Sequence, residues 1–231
     1  MIPWSLLDTA AIPGGETELR LMRRGSEFSI RLGHNELMNS RLGGSEEALA
    51  TIAWERIRSH AAPRILIGGL GMGFTLRATL ASFGPDASIT VAELVPAVVK
   101  WAQGLMADVF GKSLADPRVR VCEADIGQLI RSGPSAYDAI LLDVDNGPDG
   151  LTRSANDALY DLDGLSAARA ALRDGGVLAV WSAKPDAHFV QRLRKTGFDV
   201  DEVKARANGS RGGSKHIIWI ATHRKRGPQP A

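Results

Sequence analysis

The chain has 231 residues, a formal net charge of +2 at pH 7, 44% hydrophobic residues and 23% charged residues. This length fits one α/β domain with a modest extension, and the composition is ordinary for a globular enzyme. The small net charge gives no indication of a nucleic-acid partner. The single cysteine, Cys122, excludes an internal disulfide and suits a reducing compartment.

The N-terminal sequence carries no targeting signal that we recognise. Residues 1–11 lack a basic segment followed by a long apolar core, so no secretory signal is expected. No window is both long enough and free enough of charge to span a membrane. We therefore predict a cytoplasmic protein with no membrane partner.

The first 44 residues predict an N-terminal arm and a small β element. Residues 1–15 contain two prolines and two glycines and predict an irregular arm. Short apolar segments then predict a hairpin and a third short strand, at residues 19–22, 28–32 and 37–38.

Strands and helices alternate from residue 45 to residue 223. The pattern predicts seven strands, at residues 65–67, 89–92, 119–122, 139–142, 177–181, 198–205 and 216–222. Helices are predicted at residues 45–60, 74–83, 96–109, 126–131, 162–172 and 188–196, with Ser45 as the N-cap of the first. This alternation is typical of a doubly wound, mostly parallel Rossmann-like sheet with helices on both faces. Residues 224–231 are predicted to be a disordered tail.

A glycine-rich turn follows the first strand of this predicted sheet. Gly69, Gly71 and Gly73 lead directly into a helix, so the backbone can approach a ligand closely. The second strand ends in Glu93, where a carboxylate is placed to accept two hydrogen bonds from a ribose diol. Together they predict a nucleoside site. A glycine turn that serves only helix–sheet packing is the alternative.

The spacing of the glycines narrows the choice of nucleoside. A dinucleotide fingerprint would require glycine at position 74, where the chain has Phe74, and a P-loop would require a lysine. The spacing Gly69-x-Gly71-x-Gly73 is instead the one that transferases using S-adenosylmethionine-type donors carry after their first strand. A nicotinamide-dependent oxidoreductase is accordingly disfavoured.

Acidic residues also follow the third and fourth strands. Asp125 is placed to accept a hydrogen bond from an adenine amino group, and Asp143 follows four apolar residues. Asp143, Asp145 and Asp149 together predict a cluster of carboxylates beyond the fourth strand. In such a cluster one carboxylate has a raised pKa and acts as a base. Each of these acids taken alone is also compatible with a helix cap or a solvated surface position.

Several motifs occur in a fixed order between residues 64 and 181. They are the glycine loop with Leu76-Arg77, Glu93 before Pro96-x-Val98-Val99, Asp125, and Tyr137-Asp138-x-Ile140 ahead of Asp143, with Gly147-Pro148 after it. In this order they resemble the spermidine synthases and their relatives, which are aminopropyltransferases on the class I methyltransferase fold. The resemblance covers about half of the chain, and the small β element ahead of the sheet also agrees with it.

The resemblance implies a donor, an acceptor and a set of site residues. The donor would be S-adenosylmethionine or decarboxylated S-adenosylmethionine, the acceptor a small cationic amine, no metal would be needed, and a homodimer is possible. Donor-binding residues would be Gly69, Gly71, Met72, Gly73, Glu93, Leu94, Asp125 and Ile126. Asp143 would be catalytic, and Asp145 and Asn146 would bind the acceptor.

The chain departs from the family's pattern at three places. Met72 replaces a loop aspartate that holds the donor amine, Asn146 replaces the second aspartate of a D-x-x-D motif, and the family's tyrosine near the N-terminal domain has no counterpart. Met72 considered alone predicts that the decarboxylated donor does not outcompete S-adenosylmethionine. Glu46 and Glu47, at the start of the first predicted helix, are acids that can approach the site instead.

Two classes of function stay open at this point. The first is a group transferase that moves a methyl or an aminopropyl group to an amine. The second is a non-catalytic protein that binds a nucleoside in the same pocket. The long loop predicted at residues 144–158 would, in the first case, form a lid over the acceptor.

Overall fold

The computed structural model describes residues 2–14, 17–144, 148 and 154–224, without the side chains of 154–156 and 211. Its strands are β1 Ser5–Ala11, β2 Glu18–Arg24, β3 Glu27–Leu32, β4 Asn35–Asn39, β5 Arg64–Gly68, β6 Ser88–Glu93, β7 Val119–Glu123, β8 Tyr137–Leu142, β9 Leu172–Ser182, β10 Phe198–Arg206 and β11 Lys215–His223. Its helices are α1 Gly44–Ile57, α2 Phe74–Ser82, α3 Pro96–Gln103, α4 Ala107–Phe110, α5 Ile126–Arg131, α6 Ser154–Tyr160, α7 Leu162–Ala171 and α8 Ala187–Lys195. No helix in the described part of the chain is long and apolar enough to cross a membrane.

The larger sheet has seven strands in the order β10-β11-β9-β8-β5-β6-β7. The five strands from β9 to β7 run parallel, and β11 pairs antiparallel with both β9 and β10. The predicted fold class, a doubly wound and mostly parallel seven-stranded α/β sheet with a small N-terminal β element, is confirmed. Because β5 lies between β8 and β6, the loop that follows it lies beside the ends of both strands.

Alternating side chains of β5 supply two separate cores. Ile65 and Ile67 belong to a cluster with apolar residues of α1, α2 and α3, whereas Leu66 belongs to a cluster with residues of α5, α7 and α8. All three side chains are fully buried. A strand that is covered on both faces in this way reads as a continuous apolar run, which is why the sequence pattern identified it.

The four N-terminal strands form a separate antiparallel sheet in the order β1-β2-β3-β4. Leu21 and Ile30 are fully buried and belong to the same apolar cluster as α1 and the face of β5 that it covers. The indole nitrogen of Trp101, on α3, donates a 2.7 Å hydrogen bond to Oδ2 of Asp8 on β1. The small sheet therefore packs against one face of the larger sheet's helical layer.

Three local predictions were wrong. Residues 5–11 are strand β1, not part of an irregular arm. The single helix predicted at 96–109 is interrupted at Gly104 and continues as the short helix α4. The N-cap of α1 is Gly43, because the hydroxyl of Ser45 is used inside the protein, as described below.

Candidate active site

A cavity lies at the carboxyl ends of the parallel strands. It is lined by all of the described residues that the sequence assigned to a donor and to catalysis, which are Gly69, Gly71, Met72, Gly73, Glu93, Leu94, Asp125, Ile126 and Asp143. These residues come from four different strand ends, and the parallel arrangement brings the four ends to one edge of the sheet.

The glycine loop holds a backbone conformation that other residues rarely adopt. Gly69, Gly71 and Gly73 have φ values of +87°, +49° and +71°. A Cβ atom on Gly69 would lie 2.6 Å from the carbonyl oxygen of Asp143, and one on Gly73 would lie 2.5 Å from the ring of Phe110. The loop is thus closely packed between the ends of neighbouring elements, and side chains at these glycines would displace it.

Glu93 is buried at the end of β6, with 8% of its surface exposed. Its Oε2 accepts a 2.9 Å hydrogen bond from the backbone N–H of Leu70, and its Oε1 accepts one of the same length from that of Val95. Burial raises the pKa of Glu93, although these backbone hydrogen bonds oppose the shift. A carboxylate fixed in this way at the carboxyl end of a parallel strand fits a ligand with two adjacent hydroxyl groups, such as a ribose.

Asp125 has a structural role as well as a place in the cavity. Its carboxylate accepts a 3.2 Å hydrogen bond from the backbone N–H of Gln128 and caps the N-terminus of α5. Ile126, which follows it, is buried and forms an apolar part of the wall. An acid beside an apolar surface is a suitable environment for a purine with an exocyclic amino group.

Asp143 directly follows β8, and its carboxylate accepts a hydrogen bond from a neighbouring helix. Oδ2 of Asp143 accepts a 2.7 Å hydrogen bond from the hydroxyl of Thr75, on α2. Burial raises the pKa of Asp143 to about 6, and the bond from Thr75 limits the rise. A carboxyl group with this pKa is ionised at neutral pH yet basic enough to accept a proton during a reaction.

Glu46, in the first turn of α1, lies in the same cavity. Burial, and secondly the charge of Asp143, raise the pKa of Glu46 to about 7. The hydroxyl of Ser45 donates a 2.6 Å hydrogen bond to Oε2 of Glu46 and lies 2.8 Å from Nδ1 of His216 on β11. Because that hydroxyl has one proton, the imidazole donates to it from Nδ1. Of the two acids at the start of this helix, Glu47 is exposed and does not line the cavity.

The wall opposite the sheet was not anticipated. It is built by residues of the small N-terminal sheet and of the segment after β1, which are Ile12, Leu19, Leu37, Met38 and Asn39. Trp181, near the end of β9, also lines the cavity, and its position at the carboxyl end of a parallel strand was the sequence signal for it. Nothing in the sequence pattern indicates where the small sheet packs.

The two residues assigned to the acceptor, Asp145 and Asn146, lie outside the described residues. The same holds for most of the predicted lid. The final part of that predicted loop is helical, since α6 begins at Ser154.

The charge around the cavity has one sign. The described residues that line it include four acids, Glu46, Glu93, Asp125 and Asp143, and no lysine, arginine or histidine. Such a lining favours a ligand that carries positive charge. Within the described ranges, no group of three or more His, Cys, Asp or Glu side chains is arranged to hold a metal ion.

Comparisons with curated proteins give a consistent set of relatives. The chain is 32% identical over 137 residues to a polyamine aminopropyltransferase of Corynebacterium efficiens, over 58% of this chain and 25% of that protein. It is 30% identical over 119 residues to one from Korarchaeum cryptofilum, over 52% of this chain and 35% of the relative. A third, from Mycobacterium tuberculosis, is 29% identical over 151 residues, or 62% and 28% of the two chains. The chain thus spans about a third or less of the length of these relatives. No protein-family model matches it.

Solved structures with the same fold include spermidine synthases. The spermidine synthase of Thermotoga maritima superimposes with a TM-score of 0.72 at 16% identity, over 94% of this chain and 72% of that one. A spermidine synthase in complex with the transition-state analogue AdoDATO gives a TM-score of 0.73 at 16% identity, over 94% and 73% of the two chains. The resemblance to the spermidine synthase-like family is therefore confirmed, in sequence with polyamine aminopropyltransferases over part of the chain and in fold with spermidine synthases over nearly all of it.

Proposed function

We propose that the protein is a group transferase that moves an alkyl group from an S-adenosylmethionine-type sulfonium to an amine. The observation that carries the proposal is the single cavity in which Glu93, Asp143 and the glycine loop meet. Glu93 suits the ribose of an adenosine, Asp125 suits its adenine, and Asp143 supplies a carboxylate in the same cavity that can act as the base for a reacting amine. The relatives named polyamine aminopropyltransferase favour aminopropyl over methyl transfer.

The protein's contribution to the reaction is positioning and proton removal. The nitrogen of the acceptor attacks the carbon bound to sulfur, a C–N bond forms, the C–S bond breaks, and its electron pair stays on sulfur as a neutral thioether. The nitrogen loses one proton, which the carboxylate of Asp143 accepts. Walls of apolar residues from the small sheet keep water away from the cationic centres.

A non-catalytic nucleoside-binding protein is the second candidate. It is supported by Met72, which puts an apolar side chain in the glycine loop where the resemblance implies an aspartate. Both candidates predict binding of methylthioadenosine, so binding alone does not separate them.

Turnover separates the two candidates. The protein is incubated with decarboxylated S-adenosylmethionine or S-adenosylmethionine and a panel of linear amines, and methylthioadenosine or S-adenosylhomocysteine is measured. We expect release of methylthioadenosine that depends on the amine. Asp143→Asn is the matched control, because it keeps the size of the side chain and cannot accept a proton.

For that variant we expect methylthioadenosine binding within about twofold of the wild type and a loss of turnover of at least about 100-fold, the scale for removing a general base. If neither donor gives product while the protein still binds methylthioadenosine, the second candidate, a non-catalytic nucleoside-binding protein, would be favoured instead. Full turnover by Asp143→Asn would refute the assignment of the base.

A further inference from the structure

The glycine loop offers an apolar side chain where an ammonium group needs an acid. Met72 lines the cavity, is 3% exposed, and has no charge to offer. Among the described lining residues, Glu93 and Asp125 lie at the ends of β6 and β7, away from the acid that follows β8. Among the described lining residues, the acids that remain to bind an ammonium group are therefore Asp143 and Glu46.

Glu46 reaches the cavity from a different element from the loop. It lies in the first turn of α1, and its backbone carbonyl oxygen lies 3.4 Å from the hydroxyl oxygen of Thr75. That hydroxyl donates its one proton to Oδ2 of Asp143, 2.7 Å away. Contact with the one threonine fixes the start of α1 beside the end of β8. The charges of Glu46 and Asp143 consequently affect each other.

Ser45 and His216 hold the carboxyl group of Glu46. Ser45 is fully buried, and its hydroxyl joins Oε2 of Glu46 to Nδ1 of His216. The imidazole ring in turn packs edge-on against the indole of Trp181, with 4.8 Å between the ring centroids. One oxygen of Glu46 is thereby oriented from behind, and the side chain cannot turn away without losing the bond.

Trp181 gives a second and independent indication of a ligand. It lines the cavity and is 9% exposed, and its indole nitrogen is buried with no hydrogen-bond partner among the described residues. A buried N–H without an acceptor is costly, so it indicates a wall that a bound molecule completes. This wall adjoins His216, on the same side as the support of Glu46.

We propose that Glu46 supplies the carboxylate that the glycine loop lacks at Met72, and that Glu46 and Asp143 together bind one primary ammonium group of a substrate. The inference rests on the proposed function, because the ammonium belongs either to the arm of the sulfonium donor or to the acceptor amine. The two ammonium groups have the same chemistry. A carboxylate on the donor arm would be repelled by Glu46 and Asp143.

Binding of an ammonium should expel a proton from the pair. The groups near Glu46 are Asp143, Ser45, His216, the hydroxyl of Thr75 beside its backbone carbonyl and, through its charge, Glu47. The two half-buried acids have raised pKa values, so the pair still holds protons near neutral pH, and a cation between them favours the doubly ionised state. A neutral nucleoside has no such effect.

Calorimetry with four probes tests the proposal on the full chain. Methylthioadenosine is neutral, decarboxylated S-adenosylmethionine adds an ammonium arm, S-adenosylmethionine adds a carboxylate to that arm, and 1,4-diaminobutane is added to protein saturated with methylthioadenosine. The wild type is compared with Glu46→Gln, which keeps the shape and the bond from Ser45, and with Glu47→Gln, which removes an exposed charge from the same helical turn.

We expect Glu46→Gln to bind methylthioadenosine within about twofold of the wild type and to lose about 10- to 100-fold in affinity for an ammonium probe, the scale of a charge-assisted hydrogen bond. A loss for the decarboxylated donor assigns the ammonium to the donor arm, and a loss for the diamine assigns it to the acceptor. Glu47→Gln should change neither affinity by more than about twofold, the small effect of an exposed charge.

Proton release is measured in the unaltered protein, so it does not depend on how a variant folds. Binding enthalpies at pH 6.5 in buffers of different ionisation enthalpy should show release with the ammonium probe and none with methylthioadenosine. Unchanged affinity of Glu46→Gln for both ammonium probes, or no proton release, would overturn the proposal. Failure of the wild type to bind methylthioadenosine would instead refute the proposed function on which it rests.

Discussion

The hydroxyl of Thr75 donates a 2.7 Å hydrogen bond to Oδ2 of Asp143, and this bond links the helix that follows the glycine loop, α2, to the end of strand β8. Thr75 is only 3% exposed, so water does not replace it readily. The bond stabilises the ionised form of Asp143 against the burial that favours the neutral form. It therefore lowers the pH at which Asp143 loses its proton.

Thr75→Val should move the acid limb of the pH–rate profile to higher pH. Valine has nearly the same shape but cannot donate, so the pKa of Asp143 should rise above its present value of about 6. One lost hydrogen bond to a charged group corresponds to a shift on the order of one pH unit. Turnover should approach that of the wild type at high pH. An unshifted profile in a folded variant would show that the bond does not control the base, and Thr79→Val is the control, since its hydroxyl bonds the backbone of α2 instead.

The donor preference is open to the same kind of comparison. Met72 alone predicts that the decarboxylated donor does not outcompete S-adenosylmethionine. With Glu46 and Asp143 on the cavity wall we expect the opposite order, because a donor carboxylate would meet two acids. We expect Glu46→Gln to reduce the difference between the affinities for decarboxylated S-adenosylmethionine and S-adenosylmethionine.

The hydrophobic periodicity and the alternation of strands and helices along the chain were enough to predict the sheet and most of the residues at the carboxyl ends of its strands. An uninterrupted apolar run, as in Ile65 to Ile67, reads as a doubly covered strand, and parallel strands must place Glu93 and Asp143 at one edge. Strand β1 was missed because its register shifts between Leu6 and Asp8, which breaks the alternation expected of a strand.

Glu46 could be suspected but not placed from the sequence. Its position depends on contacts with residues far away in the chain. Its neighbour Ser45 bonds His216 on β11, and its backbone carbonyl lies against the hydroxyl of Thr75 on α2. The serine looked like a helix cap, since capping is the commonest use of serine before a helical segment. Tertiary contacts of this kind leave no pattern in the hydrophobic periodicity of the sequence.

Glu93→Ala should weaken methylthioadenosine binding by about 1–3 kcal/mol, the scale of hydrogen bonds to a charged group. Part of the effect is indirect, because Glu93 also accepts from Leu70 and Val95 and so holds the glycine loop. Glu93→Gln separates the two parts, since an amide keeps one acceptor oxygen and the size of the side chain. Calorimetry gives the affinities, and unchanged binding by folded Glu93→Ala would remove the ribose assignment.

Asp125→Ala should give a smaller loss of binding, and the loss should disappear with an inosine-type analogue, which has no exocyclic amino group to donate. The same change also removes the cap of α5, so the variant should be less stable by about 1 kcal/mol. Asp125→Ser keeps a capping oxygen on a shorter side chain. We expect it to restore stability without restoring adenosine binding, as measured by urea unfolding and calorimetry. Equal losses for adenosine and inosine analogues would contradict the contact to adenine.

The paired acids should make the protein less stable as the pH rises from about 4 to about 7. In the folded state the pKa values of Glu46 and Asp143 are raised to about 7 and about 6, whereas their ordinary values are 4.5 and 3.8. Between these limits the folded protein holds more protons than the unfolded chain, so raising the pH favours unfolding, and the loss levels off above pH 7. Other acids titrate in the same range, but they are common to a wild type and its variant and cancel in the difference.

Asp143→Asn should therefore unfold at the same urea concentration as the wild type near pH 4 and at a higher one at pH 7.5. A shift of one pKa unit corresponds to about 1.4 kcal/mol, so we expect a gain of about 1–3 kcal/mol in the free energy of unfolding at the higher pH. Arg118 and its partner Asp116 lie away from the cavity, and Asp116→Asn is the opposite control. The pKa of Asp116 is lowered to about 2 by the hydrogen bonds from Arg118, so that variant should lose stability at pH 7.5. A gain for Asp143→Asn that is equal at both pH values, or a loss at pH 7.5 only, would show that burial does not raise the pKa of Asp143 in the folded protein.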